Sequence, residues 1–207
     1  MFTGIIEHLG TLESLAVTGS GSRISIHAPT LAPSPAISQS IAVNGCCLTV
    51  TAVEGKIFSA DLSPETLSKT SFGASPGPLR GARLNLEKPL TVGQEFGGHF
   101  VLGHVDGVGR IMEIHQEDQK SDNWRLRLEI PADLAGYIVP KGSITIDGIS
   151  LTVASCNRHE IEAAIIPYTW QHTSLHDCQA GQAVNIEADV LGKYVERYLE
   201  AREKNKS

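Results

Sequence analysis

The chain has 207 residues, which at roughly 100–200 residues per domain allows one large or two small domains. With 41% hydrophobic and 19% charged residues it has the composition of an ordinary globular protein that can bury a core. The formal charge is -6, from 17 Lys+Arg against 23 Asp+Glu, which excludes a broad phosphate-neutralising or anionic-membrane face.

The first residues, MFTGIIEHLGTLESL, lack the basic start and apolar run of a signal peptide. No stretch approaches the ~18 uninterrupted apolar residues of a membrane helix. RISIHA (Arg23–Ala28) alternates apolar and polar residues, as half-buried strands do. SIAVNGCCLTV (Ser40–Val50) holds two apolar runs split by Asn44-Gly45, a strong hairpin turn. Cys46 and Cys47 then fall on opposite faces of a strand, so no bond between them is expected. KIFSADL (Lys56–Leu62) and RLNLE (Arg83–Glu87) read as further strands, and SPETLSKTS (Ser63–Ser71) as one short helix capped by Ser63 with Pro64 at its first position. WRLRLEI (Trp124–Ile130) is another strand, and SITIDGISLTV (Ser143–Val153) turns at Asp147-Gly148. IPYTWQHTS (Ile166–Ser174) keeps Pro167 but has Ile166 where the capping hydroxyl would be. In the tail, Val190, Leu191, Tyr194, Val195, Tyr198 and Leu199 share one helical face, while Glu196, Arg197, Glu200 and Arg202 lie off it. Such a short helix is marginal alone, so its stripe wants a partner, either the strands or another chain.

These elements repeat. Ser40–Val50 aligns with Ser143–Val153, and Ser63–Ser71 with Ile166–Ser174, at an offset of 103. Gly81–Glu87 aligns with Gly181–Glu187 at an offset of 100, and Thr3–Leu12 with Leu102–Ile111 at an offset of 99. Matches in the same order with slowly drifting offsets mean two copies of a unit of about 100 residues, with loop insertions between strands. Short strands broken by Gly and Pro make each unit a small barrel or sandwich.

The residues that could carry chemistry are few. Cys47 and Ser150 hold the same frame position, each followed by Leu-Thr-Val, and Thr49 and Thr152 are the next residues facing the same way. Both pairs can equally be small or β-branched strand residues. His99 and His104 bracket GGHFVLGHVDG; five residues apart, they face opposite sides of a regular strand, so no shared metal is expected. Asp106 is placed to orient His104, and Gly97, Gly98, Gly103, Gly107 and Gly109 signal a close backbone approach. CxxC, GxGxxG, P-loop, GxSxG and HExxH patterns are all missing. The four cysteines (Cys46, Cys47, Cys156 and Cys178) read as the free thiols of a cytoplasmic protein. Two like units make two like pockets, which could present two identical molecules to each other by proximity and orientation.

MFTGIIE, NGCCLTV, GGHFVLGHVDGVG, KGSITIDGISLTV and IPYTWQHTSL, in this order, resemble the riboflavin synthase family of the alpha-subunit type, over Met1 to about Arg202. The resemblance implies a mainly β protein: two homologous six-stranded antiparallel Greek-key barrels, at 1–99 and 100–189, and a C-terminal helix at 190–203 that makes a homotrimer. It implies dismutation of two 6,7-dimethyl-8-ribityllumazine molecules, one passing a four-carbon unit to the other, to riboflavin and 5-amino-6-(ribitylamino)uracil. The site would lie between the N-terminal barrel of one subunit and the C-terminal barrel of a neighbour. The resemblance also implies no cofactor, metal, nucleic acid or membrane, and makes lumazine synthase a candidate partner.

Carried onto this sequence, the first pocket takes Gly4, Ile5, Ile6, Cys47, Leu48, Thr49, Asp61, Leu62, Ser63, Pro64, Glu65 and Thr66. The second takes Gly103, His104, Val105, Lys141, Ser150, Leu151, Thr152, Ala164, Ile165, Ile166, Pro167, Tyr168 and Thr169. His104 is the expected base for the acidic 7-methyl group. Ser40, Cys47, Ser150 or water is the nucleophile at C7, Asp147 joins the catalytic set, and Phe2 is expected to stack on a ring. Leu102, Ala164 and Tyr168 depart from the family's polar pattern. The alternatives are a non-catalytic lumazine- or flavin-binding relative, in which one copy's pocket would decay, and a ligand-free structural trimer.

Overall fold

The computed structural model describes residues 1–31, 33–118 and 121–204. The first half forms β1 (His8–Thr18), β2 (Gly21–His27), β3 (Ser40–Val43), β4 (Cys46–Glu54), β5 (Ile57–Leu62), α1 (Pro64–Lys69) and β6 (Arg83–Glu87). The second forms β7 (Gly107–Asp118), β8 (Ser121–Glu129), β9 (Ser143–Ile146), β10 (Ile149–Cys156), β11 (Glu160–Ile165), α2 (Pro167–His172) and β12 (Ala183–Ala188). Each half is a closed antiparallel barrel, β1-β2-β5-β4-β3-β6 and β7-β8-β11-β10-β9-β12 in the same ring order. Closure leaves no unpaired sheet edge.

The period-2 pattern decides which residues fill each barrel. In β2, Ser22, Ile24 and Ile26 point inward; in β5, Phe58, Ala60 and Leu62 do. Each fully buried Leu, Ile or Phe contributes about 1.5–3 kcal/mol, so alternation alone fixes the register. The Asn44-Gly45 and Asp147-Gly148 turns have the positive φ pairs, 44° and 74° and 45° and 80°, of the two-residue hairpin. Ser63 caps α1 by accepting the Thr66 N–H at 3.0 Å, and Ile166 supplies no such bond to α2.

The barrels meet through these turns. Gly45 and Gly148 abut so closely that a Cβ on Gly45 would stand 2.7 Å from Gly148 N. Around them lies a buried polar network with approximate twofold symmetry. The Asn85 side chain donates to Asp147 O (2.9 Å) and accepts the Ser174 N–H (2.8 Å); that of Asn185 donates to Asn44 O (2.8 Å) and accepts the Ser71 N–H (2.6 Å). The Asn85 and Asn185 N–H groups in turn donate to the Asn44 and Asp147 side chains, both at 2.8 Å.

The tail forms α3 (Val190–Lys204), a helix turned by its polar edge toward the second half, where Lys193 Nζ lies 2.6 Å from Asp106 Oδ1. Leu191, Tyr194, Val195, Tyr198 and Leu199 are all more than half exposed. Of the two partners expected for the stripe, the barrels of the same chain do not serve. No helix among the described residues is long and apolar enough to cross a membrane.

Candidate active site

Ile149, Leu151 and Val153 enter the second core, so Ser150 and Thr152 face outward. By the same parity Leu48 and Val50 enter the first core, while Cys47 and Thr49 face out. Cys46, inside, is buried, and burial pushes its thiol up to about 12; Cys47 on the outer face is half-buried. Ser40 pairs with Thr49 across β3–β4, at the edge of the first face.

Each outer face is crossed by a segment from the other half. The Cys47 N–H donates to Gly103 O at 2.8 Å and the Ser150 N–H to Gly4 O at 2.7 Å. Gly4 and Gly103 have φ of 78° and 77°, and a Cβ on either would lie 2.6 Å from the Cβ of Ser150 or Cys47, so these positions need glycine. Ile6 packs on the second core and Val105 on the first. The crossing segments are held by carboxylates at the ends of β6 and β12. Glu87 accepts the Thr3 and Gly4 N–H groups (2.6 and 3.0 Å), and Glu187 those of Leu102 and Gly103 (2.7 and 2.9 Å). Burial raises the pKa of both and takes Glu187 to about 7, against the downward pull of these donors and, for Glu187, of Lys193.

Ser150 has a further partner. His99 Nδ1 lies 2.7 Å from its Oγ, and His99 Nε2 lies 3.1 Å from Thr145 Oγ1. Burial lowers the His99 pKa, which favours the neutral ring, against an upward pull from Asp189. Both faces thus bring backbone carbonyls, outward hydroxyls or a thiol, and glycine-lined approach to one place in each half. That suits a flat, polar-edged ligand in duplicate.

A sequence model of the lumazine-binding domain matches residues 3–88 and again 102–189, one match on each barrel. The riboflavin synthase of Bacillus amyloliquefaciens is 39% identical over 207 residues, spanning 100% of this chain and 94% of its own length. Those of Photobacterium phosphoreum (40% over 200 residues, 96% of this chain and 89% of that one) and Mycobacterium bovis (41% over 206 residues, 96% and 98%) are comparably close. The chain belongs to the riboflavin synthase family. Its fold is also that of LumP complexed with riboflavin, with a TM-score of 0.82, 25% identity, and 91% of this chain and 99% of that one covered.

Within this family frame the structure corrects several expectations. Gly4, Ile5 and Ile6 were expected at the first pocket and Gly103, His104 and Val105 at the second; the crossing exchanges them. Phe2 has no ring face free for stacking: it is fully buried with Ala42 and Val101, against Cys47. Asp147, expected among the catalytic residues, is buried in the inter-barrel contact, where its carboxylate holds the Asn185 N–H and burial raises its pKa to about 7. Asp106 does not orient His104. It accepts the Ala188 N–H (2.8 Å) and pairs with Lys193 instead. The 97–106 segment is not a regular strand, since only the Phe2–Val101 bridge interrupts it. His99 is buried and His104 exposed, so strand-face parity does not govern this pair.

The remaining expected residues divide between the faces. Asp61, Leu62, Ser63, Pro64, Glu65 and Thr66 follow β5 into α1 on the first barrel, where Leu62 belongs to the core and Asp61 pairs with Arg23 (2.7 and 3.0 Å). Ala164, Ile165, Ile166, Pro167, Tyr168 and Thr169 follow β11 into α2 on the second; Ile165 is in the core, and Ile166 and Tyr168 are exposed. Leu48 and Leu151 are core residues, so any ligand contact they make is through the backbone. Lys141 sits at φ 68° and donates its N–H to Val153 O, a backbone role shared by Ser38 at φ 72° in the first half. Glu87, Glu187 and Thr145 escaped the sequence reading. A glutamate closing the same strand in both copies was the available signal.

Proposed function

We propose that this chain converts two molecules of 6,7-dimethyl-8-ribityllumazine into riboflavin and 5-amino-6-(ribitylamino)uracil, as its full-length relatives' name implies. The observation that carries this reading is the matched pair of outer faces, Cys47-Leu48-Thr49 under Gly103 and Ser150-Leu151-Thr152 under Gly4, one per lumazine. Both keep the Leu-Thr-Val frame, whereas in a relative that only binds ligand one copy's pocket is expected to decay.

Each face offers backbone groups to the pteridine edge and Thr or Ser hydroxyls to the ribityl chain. The reaction moves a four-carbon unit between rings, so the N-terminal face of one subunit and the C-terminal face of a neighbour would hold the two rings against each other. That arrangement lets proximity and orientation supply most of the rate, about 7–11 kcal/mol of barrier in favourable cases. The exposed apolar stripe of α3 fits a homotrimer that brings those faces together. His104, exposed beside Cys47, is the candidate base for the 7-methyl proton, and Cys47, Ser40, Ser150 or water the candidate nucleophile at C7.

Incubating the purified chain with the lumazine alone and following riboflavin absorbance tests this. Product supports the synthase. Tight binding without product would make the chain a lumazine-binding protein, and neither would leave only a scaffold.

A further inference from the structure

The apolar stripe of α3 is exposed, but another edge of the helix is fastened to the second barrel. Gly192 lies against the short 3₁₀ turn Ala132–Tyr137, so close that a Cβ on it would stand 2.8 Å from Tyr137 O. One turn on, Glu196 takes a hydrogen bond from the Tyr137 hydroxyl, which raises the pKa of that phenol. Between them Lys193 reaches Asp106 at 2.6 Å. The two side chains are only 27% and 20% exposed, so solvent screens this pair less than an ion pair on the open surface.

Asp106 is the far end of the segment that crosses to the first barrel. Its N–H donates to Ile186 O (2.9 Å), and its second carboxylate oxygen accepts the Ala188 N–H (2.8 Å). Glu187, between those two residues, holds the Leu102 and Gly103 N–H groups at the near end. Residues 102–106 are thus strapped at both ends to β12, the strand that runs directly into α3. Within the strap, Gly103 O accepts the Cys47 N–H and His104 stays exposed. In the first repeat the counterpart of Asp106, at the offset of 99, is Glu7, which meets the loop side chain of Gln94 at 3.4 Å. Of the two crossing segments, the one over Cys47 is the one that α3 grips.

We propose that Lys193 and Asp106 are positioning residues that couple the docking of α3 to the geometry of the N-terminal face. With the pair closed, Gly103 O and His104 are held over Cys47. With it broken, the strap loses an anchor and His104 loses its fixed place beside the lumazine on that face. Asp106 acts on the backbone of this segment rather than on the imidazole. The helix that carries the assembly stripe therefore also sets the site, so a chain can be assembled and still be slow. The effect on turnover rests on the proposed lumazine chemistry; the coupling itself rests on the contacts alone.

The test uses the full chain with the stripe intact. Lys193→Met removes the charge and keeps the aliphatic stem. It should sediment like the wild type and lower kcat about 10–50-fold, with KM changed less than about threefold, since a displacement of about 1 Å at a reacting group can cost 10²-fold. Asp106→Asn keeps an oxygen for the Ala188 N–H and loses the charge; it should show the same loss, and the double variant no more than either alone. Lys193→Arg should recover most of the lost kcat. Arg197→Ala, which removes a 76% exposed side chain from the same helix, should lose none. Hydrogen exchange reads the strap without turnover: the 102–106 amides should exchange at least about tenfold faster in Lys193→Met, with those of Thr3 and Gly4 unchanged. Wild-type kcat in Lys193→Met, losses that multiply in the double variant, dissociation of the Lys193→Met oligomer, or unchanged exchange at 102–106 would overturn the coupling. Failure of the wild type to form riboflavin, with the exchange result as expected, would instead overturn the functional reading and leave the strap standing.

Discussion

Replacing Asn85 by Ala perturbs the inter-barrel network at its centre. The side chain serves two buried partners, donating to Asp147 O at 2.9 Å and accepting the Ser174 N–H at 2.8 Å. Removing it leaves both unmet. An unsatisfied buried group costs roughly 1–3 kcal/mol, and the carbonyl belongs at the low end because it keeps a second lone pair, so the loss is about 3 kcal/mol. In a chain of this size each kcal/mol moves the melting midpoint by about 2–4 °C, giving a drop of about 6–12 °C. Scanning calorimetry and a urea titration measure it. Asn185→Ala removes the mirror-image bonds to Asn44 O and Ser71 N, so it should cost a similar amount. A loss below about 1 kcal/mol in both variants would refute the claim that this network holds the barrels together.

Other outcomes follow from the crossing segments and the tail. Gly103→Ala and Gly4→Ala should each cut riboflavin formation more than about tenfold, because the new Cβ would sit 2.6 Å from Cys47 or Ser150; Gly81→Ala, at φ 88° with open space around it, should cost only the backbone strain of about 1–2 kcal/mol. Equal effects at all three would contradict the close approach. Glu187 and Asp147 both have native pKa values raised to about 7, so the native state keeps protons that the unfolded chain has released. Stability from this source is full below the ordinary carboxylate range and is lost as pH rises through about 7. Unfolding free energy should therefore decline between about pH 4 and 7, less steeply in Glu187→Gln; a flat or rising wild-type profile over that range would contradict it. Deleting the chain from Leu191 onward should give monomers in sedimentation and sharply reduced turnover, and a fully active truncated monomer would sink the inter-subunit site.

Much of this was legible in the residues. Period-2 alternation, Asn44-Gly45 and Asp147-Gly148, and the repeated frame gave the strands, the hairpins and the division into two barrels, because each is a local rule that tertiary packing reinforces. What local rules could not give was which half a segment packs against. Gly4 lies four residues before β1 and Gly103 four before β7, yet each crosses to the other barrel, a choice made by Glu87, Glu187 and the glycine-sized gaps over Ser150 and Cys47. Asp147 is in the catalytic set only by the family resemblance, since the residues alone read as the Asp147-Gly148 hairpin turn. Its neighbours in space, Asn185 and Asn85, lie far along the chain and make it a structural acceptor. His99 and His104 could not be ranked by spacing, since the segment between them is irregular and only burial separates them.

The central claim is that two matched faces process two copies of one substrate. Its most direct measurement is the stoichiometry of the purified chain given 6,7-dimethyl-8-ribityllumazine and nothing else. The account predicts one riboflavin and one 5-amino-6-(ribitylamino)uracil for every two lumazines consumed. Saturable lumazine binding with no riboflavin formed would contradict it.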